Sequence, residues 1–162
     1  MRTRGEGAVN PDQVLLQRFL ADPHTPLAID SNPLGLALRA RLLARDVNGI
    51  RLGFDPGREF LQGNGAIQGG IVATMLDFAV AFASFATLPA GRTVVTASMT
   101  IAFQSAVRAV PLTATGIIER AGRRLIFARA QLESAGDGML LASANAVMSV
   151  LDAVIRSDGD RT

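Results

Sequence analysis

The chain of 162 residues contains no cysteine, no tryptophan and no tyrosine. Without thiols it can form no disulfide, no thiolate nucleophile and no cysteine-based zinc or iron–sulfur site. Lysine is missing as well, which excludes Schiff-base chemistry. His24 is the only histidine, so one subunit cannot build a two-histidine metal site or a two-histidine relay. Catalysis therefore falls to carboxylates, hydroxyls, amides and backbone N–H groups, and no metal or redox cofactor is expected. The formal charge is only +2, and the pI near 10.8 reflects arginine as the sole strong base. The arginines are scattered and no tyrosine or tryptophan supplies a stacking platform, so a composition bias is the reading, and no nucleic-acid partner is expected.

What is present is apolar: 49% hydrophobic against 19% charged residues, enough for one globular domain and not a disordered chain. Residues 1–10 and 156–162 are polar and read as flexible ends, which leaves one domain over 11–155. Met1-Arg2-Thr3-Arg4 is followed by Gly5-Glu6-Gly7 rather than an apolar run. This predicts a cytoplasmic protein without a signal peptide.

Pro11 and Asp12 open a short amphipathic helix carried by Val14, Leu15, Leu16, Phe19 and Leu20, ending near Asp22-Pro23. A proline-containing loop follows. Alternation from Leu36 to Arg45, the turn Asp46-Val47-Asn48-Gly49 and the segment Ile50–Phe54 predict a hairpin. Between Ala66 and Gly91 the single charge is Asp77. A membrane span is disfavoured by that central carboxylate, and the run reads instead as a core helix between Gly69-Gly70 and Pro89. Strands are expected over 92–103, 111–119, 124–133 and 139–150, together forming a meander. In the first of them Val95, Ala97, Met99, Ile101 and Phe103 form the apolar face, with Thr96 and Ser98 on the other. One antiparallel sheet wrapped around one long helix, an α+β fold, satisfies this order.

Gly63-Asn64-Gly65-Ala66-Ile67-Gln68-Gly69 before a helix is a near miss for a dinucleotide-binding loop, but no buried strand precedes it and the later strand lacks the acidic residue. A G-x-S-x-G elbow and a Walker loop are both missing. What remains is Gly69-Gly70 at the head of the helix and Asp77 within it. An aspartate among Met75, Leu76, Phe78 and Ala79 must be hydrogen-bonded, by Thr74 or Ser84 for instance, or sited at a functional cleft. The glycines either make a plain turn or expose helix N-terminal N–H groups to a substrate carbonyl. Eight residues of helix separate Gly69 from Asp77, about 12 Å. If both act on one carbonyl, the site spans two subunits related by a two-fold axis.

The stretch from Gly65 through Gln68, Gly69 and Gly70 to Asp77, with Thr96–Phe103 and Gly122-Arg123-Arg124-Leu125, resembles the hotdog-fold acyl-CoA thioesterases of the phenylacetic-acid-degradation (PaaI) type. The resemblance covers about residues 36 to 150. It implies hydrolysis of an acyl-CoA thioester to a free acid and CoA, in a homodimer or homotetramer, with no membrane partner. The Gly69 N–H would polarise the thioester carbonyl, and Asp77 would act as nucleophile or general base. Gln68 stands where the family usually carries histidine. Gln62, with Asn64 as a nearby substitute, would hold the carbonyl or the water, and Gly70 would adjoin the substrate. Thr96 would orient the carboxylate or the water, unless it is an ordinary strand threonine. Arg123 and Arg124 would pair with CoA phosphates, unless they are solvated turn residues. Helix side chains such as Met75, Phe78 and Phe82, together with the partner subunit, would line the acyl pocket. The alternative implied by Gln68 is a hotdog protein that binds acyl-CoA without hydrolysing it.

Overall fold

The computed structural model describes residues 10–153 except residue 48. The expected flexible ends lie almost entirely outside the described residues. Helix α1 spans Pro11–Ala21, with Asn10 accepting a hydrogen bond from the Asp12 N–H at 2.9 Å and Pro11 at the first helical position. A two-residue strand β1, Leu27–Ala28, and a short helix α2, Pro33–Ala37, follow. The hairpin is β2, Arg41–Asp46, and β3, Gly49–Phe54. The alternation from Leu36 is thus helix first and strand only from Arg41, because Asn32 and Pro33 supply an N-cap and first turn that the alternating leucines do not override.

Helix α3, Gly69–Phe85, is the long apolar helix. No helix among the described residues is long and apolar enough to cross a membrane. After it come β4 (Arg92–Phe103), β5 (Leu112–Ala121), β6 (Leu125–Ser134) and β7 (Leu140–Asp152). All pairings are antiparallel, in the order β1-β2-β3-β5-β6-β7-β4. The meander expectation holds for β5, β6 and β7 only. β4 lies at the far edge beside β7, and β5 pairs with β3, because α3 crosses the sheet before β4 begins and the chain crosses back after Phe103.

The core sits between α3 and the concave face of the sheet. Met75, Leu76, Val80 and Phe82 of α3 are fully buried against Leu52, Ala114, Ile126, Leu132 and Met148. Each large side chain so buried contributes about 1.5–3 kcal/mol. The seating is close: a Cβ on Gly116 of β5 would lie 2.0 Å from the Ala79 carbonyl oxygen, so only glycine lets the helix backbone approach this strand.

Candidate active site

The face of α3 turned away from the core carries Gly70, Ala73, Thr74 and Asp77, which are exposed or half-buried. Asp77 is therefore not sealed in the helix interior. Its Oδ1 accepts a 2.6 Å hydrogen bond from the Thr96 hydroxyl. The local partners expected from sequence play no part: Thr74 donates to the Gly70 carbonyl at 2.9 Å, and the buried Ser84 hydroxyl has no hydrogen-bond partner among the described residues.

Alternation in β4 placed Thr96 opposite the apolar face, yet it meets Asp77. The cause is a β-bulge at Ala97: Thr96 pairs with Met148 and Ser98 with Val147 of β7, so one extra residue is accommodated on β4. The bulge switches parity. Val94 and Thr96 face α3 before it, Met99, Ile101 and Phe103 after it, and Val95 turns outward with 49% of its surface exposed.

At the other end of β4 the loop before α3 is tied down by its own backbone. The Gln62 N–H donates to the Ala66 carbonyl, the Gly65 N–H to the Gln62 carbonyl, the Gln68 N–H to Phe60 and the Ile67 N–H to Val107, at 2.7–3.0 Å. Gly65 sits at φ +76°, a conformation that glycine adopts without strain. The Gln62 Oε1 accepts from the Asn64 N–H at 2.6 Å, which leaves the Gln62 amide NH2 as the group free to donate. Gln68 caps α3 in an extended conformation without a side-chain bond, and its carbonyl accepts from Ile71 and Val72. Among the described residues the N–H groups of Gly69 and Gly70 have no acceptor. They present two donors and the positive end of a 17-residue helix.

The structure thus makes two clusters: Asp77 with Thr96, and Gly69, Gly70 and Gln68 with the Gln62–Asn64 loop. Arg123 and Arg124 join neither. They occupy the β5–β6 turn near the start of β4, where the Arg92 guanidinium donates to the Arg123 carbonyl at 3.3 Å. Met75 and Phe82 do not line a pocket, being 0% and 1% exposed in the core, and Phe78 packs edge-on against Phe54 and stacks on Phe82. A cavity of about 370 Å³ lies instead beside Gly69, lined by Gln62, Ile67, Val72, Phe103, Gln104 and Val107 among others. Phe103, which alternation places on the apolar face of β4 and which was not among the candidate site residues, lines this cavity and is 56% exposed at the end of an edge strand.

The comparisons agree with this architecture. Residues 64–140 match the family model described as the thioesterase superfamily. A thioesterase family protein from Silicibacter pomeroyi superposes with a TM-score of 0.72 at 22% identity, covering 86% of this chain and 97% of its own. A Ralstonia eutropha protein described as phenylacetic acid degradation-related superposes at 0.70 with 25% identity, over 83% and 98% of the two chains. A Streptococcus mutans protein solved bound to acetyl-CoA gives 0.63 at 18% identity, over 69% and 88%. No curated protein is significantly similar. The fold is the hotdog fold, an antiparallel sheet around a central helix.

Proposed function

We propose that the protein is an acyl-CoA thioesterase of the phenylacetic-acid-degradation type whose active site forms between two copies of the chain. The observation that carries this is the pairing of a solvent-accessible carboxylate, Asp77 held by Thr96, with two unpartnered N–H donors at the head of the same helix. The match of residues 64–140 to the thioesterase superfamily model supports it.

The thioester carbonyl would sit on the N–H groups of Gly69 and Gly70, with the Gln62 amide donating beside them. As the tetrahedral intermediate forms, its oxygen becomes negative, and donors already fixed in place stabilise it without reorganising. Asp77 attacks the carbonyl carbon or takes a proton from the attacking water. The Thr96 hydroxyl fixes the carboxylate through Oδ1 and leaves Oδ2 for that work. Gln68 cannot titrate, so it can orient but not transfer protons. Arg123 and Arg124, in the β5–β6 turn, would pair with the CoA phosphates.

Asp77 and Gly69 lie about 12 Å apart along one helix, so each site takes the carboxylate from one subunit and the donors from the other. Two features support such a dimer. Among the described residues no strand pairs with the outer edge of β4, and the α3 face carrying Asp77 holds the small residues Gly70, Ala73 and Thr74, which permit a second helix to approach. Release of CoA thiol from a panel of acyl-CoAs tests the activity, with no background because the protein has no cysteine. Asp77→Ala is expected to retain the fold and lower turnover at least ~10²-fold. Unchanged turnover in that variant overturns the mechanism, and acyl-CoA binding without turnover in the native protein makes it a binding protein.

A further inference from the structure

We infer that Phe103 sets which acyl groups the protein accepts, by walling the cavity beside Gly69 so that it takes a short chain or a single ring. The inference rests on the thioesterase reading for the position of the carbonyl. A Cβ on Gly69 would lie 3.5 Å from Cζ of Phe103 and 3.6 Å from Cε1, so the ring stands in van der Waals reach of the residue that donates to the carbonyl. The cavity opens from that point. Its floor is the buried side chains of Ile67, Val72 and Val107.

Of the two arms leaving the carbonyl carbon, this lining suits the acyl arm. The pantetheine arm carries amides that need partners when buried. Gln62 Oε1 is engaged by the Asn64 N–H and the Gln104 NH2 by the Ser143 hydroxyl at 2.9 Å, and the free donors at the cavity mouth, the Gly69 N–H and the Gln62 NH2, are those assigned to the carbonyl itself. An alkyl or aryl group needs no partner and gains from apolar contact. At about 370 Å³ the cavity is at the small end of ligand sites.

The wall is also fixed in place. The N–H groups of Gln104 and Ser105 both donate to the Leu141 carbonyl of β7, at 2.9 and 3.1 Å, and the Ile67 N–H ties the opposite loop to Val107 at 2.7 Å. The backbone at the end of β4 therefore cannot swing aside to admit a longer chain. Within one chain it is the Phe103 side chain that sets the depth at that point. Over half of its surface is exposed, so replacing it leaves the core untouched.

The test compares the native protein with Phe103→Ala and Phe103→Trp across straight-chain acyl-CoAs of increasing length and one aryl-CoA, measuring kcat/KM by thiol release and Kd by calorimetry, with free CoA as reference. The native protein is expected to favour short chains and the single ring. Phe103→Ala should move the optimum to longer chains, raising the long-to-short ratio roughly tenfold, and Phe103→Trp should move it the other way by a similar factor. A merely structural role would lower all substrates together. A length profile that is the same in all three proteins overturns the inference, as does a loss of affinity that appears equally with free CoA. If no thioester is turned over, the catalytic reading fails on its own, and the length dependence of Kd still decides the role of Phe103.

Discussion

Gly69 occupies the first position of α3, where the N–H has no partner within the helix. Proline is favoured at this position because it lacks only that N–H and its fixed φ suits a helix. The preceding residue, Gln68, already has φ −58° and ψ 139°, the extended conformation that a following proline requires. Gly69→Pro is thus expected to delete the donor while leaving α3 and the melting temperature nearly unchanged. Loss of one such donor lowers kcat by about 10²–10³-fold. Gly69→Ala keeps the N–H, and its Cβ would meet the Phe103 ring at an ordinary 3.5 Å, so the Pro-to-Ala ratio of kcat isolates the N–H. Equal rates in the two variants would remove Gly69 from the oxyanion site.

The seating of α3 on β5 is what holds Asp77 in place, and it depends on Gly116. A Cβ there would come within 2.0 Å of the Ala79 carbonyl oxygen and 2.4 Å of its carbon, both backbone atoms two residues from Asp77. Gly116→Ala must push the helix off the strand, at a cost of about 1–3 kcal/mol, which is roughly 2–12 °C in Tm for a chain of this size. Turnover should fall with it, because the Asp77–Thr96 bond spans helix and sheet. A Gly116→Ala protein melting within a degree of the native one would contradict the close approach. The sequence made this helix legible through its apolar run from Ile71, in which Asp77 is the single charge, and the strands through their glycine and proline boundaries. It did not reveal that β4 sits at the sheet edge, since pairing between segments about 50 residues apart is decided by packing over α3 rather than by local pattern. The same limit applies to Thr96. Period-2 alternation through Val95, Ala97 and Met99 assumes an unbroken ladder, and a single bulged alanine reverses every face before it. The candidate site was legible where chemistry is rare, at Asp77 and the glycine pair, and illegible where it depends on an apolar residue left uncovered, as at Phe103.

At the scale of the whole molecule, the dimeric site can be tested by mixing defects. If each site takes Gly69 from one subunit and Asp77 from its partner, Gly69→Pro and Asp77→Ala homodimers have two damaged sites each. A mixed dimer concentrates both defects in one site and leaves the other intact. Coexpressed in equal amounts, the two chains form mixed dimers in about half of the population, each with one working site of two, so about a quarter of native turnover should return. Purification through two different tags would raise this to about half per mixed dimer. Mixed dimers as inactive as either parent would place the donors and the carboxylate of each site on one chain, which α3 could satisfy only by bending. α3 is one continuous α-helix from Gly69 to Phe85 with no internal proline, the residue at which sharp kinks most often occur. Recovery on mixing would therefore establish that a second copy completes each site, with the donors on one chain and the carboxylate on the other.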